Sequence, residues 1–226
     1  MNCRIKDMYD LTHTIAAPLL EKFDYPWEVL PHIGDFIKEI GPKLDKAVYE
    51  DRGGFVYIAK SVKFLNEATN TIIGPCIIGP DTEVRPGAFI RGNAIIGASC
   101  VVGNSTEIKN DIIFDNVEVP HYNYVGDSVL GFHAHMGAGS ITSNIKSDRT
   151  NVVIKDFSTG EKIETGLRKI GALLGDYVEV GCNTVLNPGS VVGPHSTIYP
   201  VSMIRGVIPA NSLVKNRAEQ EIVSKN

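Results

Sequence analysis

Branched aliphatic residues occupy every sixth position along one stretch of this chain: Ile72, Ile78, Val84, Ile90, Ile96, Val102 and Ile108. Four residues after each stands a second apolar or small residue: Cys76, Thr82, Ala88, Ala94, Cys100, Thr106 and Ile112. The register returns as Leu174, Val180, Leu186, Val192, Ile198 and Ile204, trailed by Val178, Thr184, Ser190, Ser196 and Ser202, and slips only at Ile208 and Ser212. A helix repeats its apolar face about every 3.6 residues and a strand every 2, so neither keeps an aliphatic at every sixth position. The period is that of a solenoid. Three hexapeptides make one triangular coil of about 18 residues, and equivalent residues in successive coils stack about 4.8 Å apart, so the aliphatics form a continuous inner column. Small residues at the fifth position fit the corners. Glycine and proline beside the aliphatics, as in Ile78-Gly79-Pro80 and Val192-Gly193-Pro194, allow sharp bends between short strands. An antiparallel sandwich would not hold one register through more than forty residues. The pattern therefore predicts an all-β, parallel β-helix.

Residues 1–65 lack the six-residue period. Ile33, Phe36, Ile37, Ile40 and Leu44 fall at helical spacing, with Pro26 and Pro31 before them and Gly41-Pro42 interrupting, which predicts a small, mainly helical N-terminal extension. Phe55–Leu65 alternates as a strand leading into the first coil. The expected solenoid domain is 66–213, and 214–226 forms a tail in which Lys215–Val223 suits a short helix. Between the two regular runs the register breaks at Pro120-His121-Tyr122 and again across Asn144 to Lys169. A β-helix accepts insertions only as loops on its outside, so these two places are where a site is expected.

Composition narrows the partners. The formal charge of -4 argues against general nucleic-acid binding, leaving small molecules. No apolar run approaches 18 residues, and MNCRIKDMYD lacks an apolar signal core, so the expectation is a cytoplasmic protein with no membrane partner. Cys76 and Cys100 belong to different faces of the prism, and Cys3 and Cys182 show no partner spacing, so four reduced, buried thiols are expected. His133 and His135 raise a zinc reading, but no third histidine stands at a suitable spacing.

The richest segment is HYNYVGDSVLGFHAHMGAGSITSN, residues 121–144. It resembles the acetyltransferase domain of the bifunctional N-acetylglucosamine-1-phosphate uridyltransferases, in which a His-x-x-Tyr-x-Gly-Asp motif precedes an Ile-Gly-Ala-Gly-Thr coil and an Asn. Arg85-Pro86-Gly87-Ala88, Val102-Gly103-Asn104 and Glu107-Ile108-Lys109 resemble further elements of that family, with Lys109 twelve residues before His121. Thr165-Gly166-Leu167-Arg168-Lys169 through Asp176 resembles the archaeal-type sugar-1-phosphate enzymes, and Tyr25-Pro26-Trp27-Glu28 resembles their interdomain linker. The Gly-rich loop and Pro-Lys signature of the nucleotidyltransferase half are not among these residues, so no pyrophosphorylase activity is expected of them.

The resemblance implies a left-handed β-helix and transfer of acetyl from acetyl-CoA, the co-substrate, to the amine of a hexosamine 1-phosphate, a step in UDP-N-acetylglucosamine biosynthesis. Attack by an amine needs a base, which this family supplies at the position of His121. Arg85 and Lys109 would hold the phosphate, Tyr124 and Asn144 the sugar hydroxyls or the amine. The backbone of Gly137-Ala138-Gly139 is the expected oxyanion donor if it lies opposite His121. His135 stands where those enzymes carry an asparagine near the amine. The CoA arm would run between neighbouring subunits of a homotrimer, past Ala138, Cys182 and Pro200. Two other readings stay open: a non-catalytic assembly module, and a zinc-dependent lyase of the carbonic anhydrase type.

Overall fold

The computed structural model describes residues 2–216 and Ser224. The expected C-terminal helix over Lys215–Val223 falls almost wholly outside them. Three stacks of short parallel strands form a triangular prism. The first face is a nine-stranded sheet that includes Val56–Ala59, Cys76–Ile78, Ala94–Ile96, Asp111–Ile113, Val129–Leu130 and Ala172–Leu174. All its strands are parallel except Tyr49–Asp51, which pairs antiparallel with Val56–Ala59. The second face has eight strands, among them Glu83–Val84, Glu118–His121 and His135–Met136. The third has seven, among them Phe89–Arg91, Glu107–Lys109, Tyr124–Gly126 and Ile141–Thr142. The parallel stack starts at Val56, where the alternating segment predicts a strand.

The inner column is the one the six-residue period predicts: Ile78, Val84, Ile90, Ile96, Val102 and Ile108 are fully buried, as are Leu174 and Leu186 in the later run. The small fifth-position residues line the corners, where Thr82 and Thr106 bond carbonyls of the next coil at 2.8 and 3.0 Å. Just before each of these residues the backbone enters the left-handed region, once at each corner of a coil. Ser105, Tyr122, Gly139, Asn183 and Val201 form such a column at one edge, with φ between 51° and 70°. Short polar side chains and glycine tolerate this geometry; the β-branched Val201 does not.

The register break at Pro120-His121-Tyr122 is not a loop. Cys76 pairs with Ala94, eighteen residues on, but Ala94 pairs with Asp111 and Ile112 with Val129, each seventeen on. A coil one residue shorter shifts the sequence period while the strands stay stacked, so Glu118–His121 is a regular strand whose His121 pairs with Asn104. Only the second break is an excursion. It leaves after Asn144, folds as the hairpin Val153–Lys155 and Lys162–Glu164, and returns where the Ile170 N–H donates to the Asn144 carbonyl at 3.1 Å.

The N-terminal extension does more than precede the solenoid. Its helix Ile33–Ile40, flanked by 3-10 turns at Pro26–His32 and Gly41–Lys43, packs on the first face. With Met8, Leu20, Trp27 and Ile37 it belongs to the same core as the outward residues Ile77, Ile95, Ile112, Val129 and Leu173, all fully buried. Polar contacts pin it there. The Asp176 carboxylate accepts from the Asp10 and Phe132 N–H groups at 2.7 and 2.8 Å, the Asp115 N–H donates to the His13 carbonyl at 3.0 Å, and the His13 ring stacks on Phe132.

Candidate functional site

Two groups of the sequence-predicted residues come together, on neighbouring parts of the prism. On the third face, inward Ile108 and Val125 turn Lys109 and Tyr124 outward. Asn144 follows the next strand, Ile141–Thr142, which pairs with Tyr124. The three lie in three successive coils, joined by a residue that sequence reasoning did not single out. Asp127, only 4 % exposed, accepts from the Lys109 ammonium at 3.0 and 3.1 Å, from Asn110 Nδ2 at 2.9 Å and from Asn144 Nδ2 at 2.6 Å. The Asn144 amide also donates to the Tyr124 hydroxyl at 3.0 Å. Burial, then the charge of Asp127, raises the Tyr124 phenol above its ordinary value, so it is a protonated hydroxyl at neutral pH. The signal for Asp127 was present as the last letter of the His-x-x-Tyr-x-Gly-Asp motif.

Glycine at 126 is what lets the tyrosine lie flat. A Cβ there would come 2.5 Å from the Tyr124 hydroxyl oxygen, so the ring lies across Gly126, leaning toward Asp127 and away from His121. Deeper in the same corner sits Asp111, fully buried, its two oxygens accepting from the Lys109 and Ser128 N–H groups at 2.8 and 2.7 Å. Burial pushes its carboxyl well above the usual range despite those bonds. Beside the cluster, Lys109, Asn110 and Asp127 line a hollow of about 350 Å³ whose other walls are Leu30 and Pro31 of the extension and Leu167–Lys169 of the returning excursion. A larger hollow of about 540 Å³ lies under the hairpin, past Ser143, toward Asn187 and Arg205.

The second group is a ladder at the corner between the second and third faces. The N–H of Tyr122 donates to the Asn104 carbonyl, Gly139 to His121, Asn183 to Ala138 and Val201 to Cys182, at 2.8 to 3.0 Å. Asn104, His121, Ala138, Cys182 and Pro200 are thus successive rungs, each about 4.8 Å from the next. The His121 imidazole is exposed and has no side-chain partner among the described residues.

This ladder corrects the expected oxyanion donor. The Gly139 N–H is spent on the His121 carbonyl and the Gly137 N–H on Val180 at 2.7 Å, leaving Ala138 as the one N–H of the tripeptide with no backbone acceptor. Cys182 corrects the thiol expectation. It is exposed, whereas Cys3, Cys76 and Cys100 are buried; all four are free. Burial pushes the Cys76 and Cys100 thiols up to about 12 and Cys3 to about 11.

Arg85 and His135 stand apart from both groups. Arg85 leaves the second face two coils before His121 and is paired with Glu83 at 2.6 Å. His135 points out of the second face, where its Nδ1 meets Glu179 at 2.9 Å. Among the described residues no group of three or more His, Cys, Asp or Glu is arranged to hold a metal ion, and no helix is long and apolar enough to cross a membrane.

A hexapeptide-repeat β-helix carrying one polar network on an open face is the class of protein that this fold and site define. More narrowly, the model of the GMPPB C-terminal domain family matches residues 72–208, and the chain belongs to that family. It is 34% identical over 207 residues to the bifunctional protein GlmU of Methanococcus vannielii, covering 89% of this chain and 48% of that protein. It is likewise 34% identical over 126 residues to the bifunctional sugar-1-phosphate nucleotidylyltransferase/acetyltransferase of Sulfurisphaera tokodaii, covering 56% of this chain and 29% of that one. The chain thus spans about half or less of the curated relatives it matches. Among solved structures it resembles the acetyltransferase domain of PglB from Neisseria gonorrhoeae in complex with acetyl coenzyme A, at 14% identity and a TM-score of 0.31 over 70% of this chain and 53% of that one.

Proposed function

We propose that this chain is an acetyltransferase that moves the acetyl group of acetyl-CoA to the amine of an amino-sugar phosphate. The observation that carries the reading is the meeting of Lys109, Tyr124 and Asn144 on one carboxylate, on an open face whose other edge bears His121. The names of the GlmU relatives support it, since the segment shared with them includes these residues.

In this reading His121 takes the proton that the amine sheds as its nitrogen bonds the thioester carbon. An unpaired, solvent-facing imidazole is free to do so and to pass the proton on to water. Collapse of the tetrahedral adduct then expels CoA as a thiolate, and the site needs no covalent enzyme intermediate. Lys109 and Tyr124 donate to oxygens of the acceptor, whose phosphate gains a charge-assisted bond. Ala138, Cys182 and Pro200 continue the His121 corner through the next coils, a row along which a pantetheine arm would reach the base. Arg85 and His135, remote from the cluster within one chain, would serve the acceptor through a neighbouring subunit, and a homotrimer acting in the cytoplasm is the assembly this implies.

The test is turnover of acetyl-CoA with a panel of amino-sugar phosphates, including glucosamine 1-phosphate and galactosamine 1-phosphate. Acetylation of at least one, lost in His121→Ala, is the expected result. Undiminished turnover in that variant would remove the base; no turnover and no CoA binding by calorimetry would favour an assembly module.

A further inference from the structure

Asp127 is not needed to hold its own turn. The corner between the third and first faces is built from a column of residues with left-handed backbone, Asn93, Asn110 and Asp127, at φ 53°, 60° and 51°. Two earlier coils turn this corner with asparagine, which takes up that conformation readily. Asparagine and aspartate both suit this bend, as Asp81 at φ 58° shows at another corner, so the bend alone does not select a carboxylate here.

The surroundings of Asp127 do. Both Asp127 oxygens accept from the Lys109 ammonium, so of its three protons one is left for a ligand. A carboxylate cannot donate, so the Asn144 side chain has to present its NH₂ to Asp127, and this fixes which end of the amide is which. The second proton of that NH₂ reaches the Tyr124 hydroxyl. A hydroxyl that accepts there keeps its single O–H for another acceptor, off the network. The Asn144 side-chain oxygen, Oδ1, is left to accept.

We propose that Asp127 is a positioning residue: it holds Lys109 and Asn144 and, through the Asn144 amide, turns the Tyr124 hydroxyl proton outward to the ligand. The site so arranged offers two donors, the tyrosine O–H and the third lysine N–H, beside one acceptor, the Asn144 oxygen. That set fits a phosphate or hydroxyl oxygen next to an N–H or O–H group, as on an amino-sugar phosphate. In this last respect the inference rests on the acetyltransferase reading; the polarity of the network does not.

Asp127→Asn keeps the backbone preference of the corner and removes the charge. In the full-length protein it should leave thermal unfolding within a few degrees of wild type. With glucosamine 1-phosphate as acceptor, kcat/KM should fall about 100-fold, the scale of a misplaced substrate-holding group. Adding Lys109→Met or Asn144→Ala to Asp127→Asn should cost less than about threefold more, because residues acting as one unit are not additive. Fully additive losses would mean that Asp127 does not act through them.

A second readout needs no activity. The charges around the Tyr124 phenol are Asp127, Glu107 and Asp111, which raise it, and Arg91, which lowers it. Loss of the Asp127 charge should let the phenol titrate at lower pH, followed by NMR of ring-labelled tyrosine with Tyr124→Phe assigning the signal. An unchanged Tyr124 titration would overturn the proposal even in an active enzyme. If wild type acetylates no amino-sugar phosphate, the functional reading fails, and the titration alone decides the role of Asp127.

Discussion

The first and third faces of the prism are built from the same repeat and end in opposite roles. On the first face the strands read Cys76-Ile77-Ile78, Ala94-Ile95-Ile96 and Ala172-Leu173-Leu174, apolar on both sides, and every one of these residues is buried. On the third, Phe89-Ile90-Arg91, Glu107-Ile108-Lys109 and Tyr124-Val125-Gly126 bury the middle residue and, apart from Gly126, leave the outer ones partly or fully accessible. A strand buried on both faces loses the alternation that a half-exposed one keeps. The N-terminal extension closes the first face and leaves the outward residues of the second and third accessible, and the proposed chemistry uses the third and the corner between the two. Proximity in the coil does not make a site; the uncovered face does.

The contrast can be broken most strongly at its apolar end. Ile95→Ala, beneath the extension, should cost about 2–5 kcal/mol in chemical denaturation. Ile141→Ala, at the outward position of the third face, should cost less than about 1 kcal/mol. Equal losses would erase the distinction between a covered and an open face.

On the open face the effects should fall on activity. Gly126→Ala puts a methyl group against the Tyr124 hydroxyl, and with an ordinary backbone angle at 126 it should cut acetyl transfer at least about 10-fold while unfolding changes little. Unimpaired turnover would show that the tilt of Tyr124 is irrelevant.

Between the two faces lies Asp111, whose raised folded carboxyl gives a pH signature. A group that holds its proton more tightly when folded makes stability fall as pH rises from the ordinary value of 3.8 toward the raised one, and leaves it flat below. Relative to Asp111→Asn, wild type should therefore lose stability across that window. The opposite slope would mean that the two N–H bonds outweigh burial.

The smallest effect is expected at the corner column. Val201, β-branched and exposed at φ 59°, sits where the preceding rung is Asn183. Val201→Asn should stabilise by about 1 kcal/mol, seen as a raised Tm. No gain would mean that the corner holds no strain.

The prism and its inner column were legible because a six-residue period has one physical explanation, and Leu174 through Ile204 repeat it after a long interruption. The meaning of the break at Pro120 was not. A coil shortened by one residue and a looped insertion disturb a period in the same way, and only strand pairing separates them. The covered face left a signal in the doubled aliphatics Ile77-Ile78, Ile95-Ile96 and Ile112-Ile113, which a search for one aliphatic per hexapeptide passes over. Lys109, Tyr124 and Asn144 could be named from motif spacing. Their linkage through Asp127 could not, because it is made by hydrogen bonds between successive coils, seventeen and eighteen residues apart.

The claim that the third face is the working one is tested most directly by NMR mapping of glucosamine 1-phosphate binding on the full-length protein. Shifts concentrated at Lys109, His121 to Asp127 and Asn144, with Ile33–Ile40 and the first-face strands unmoved, are the predicted result. Shifts centred on the N-terminal extension and the first face would contradict it.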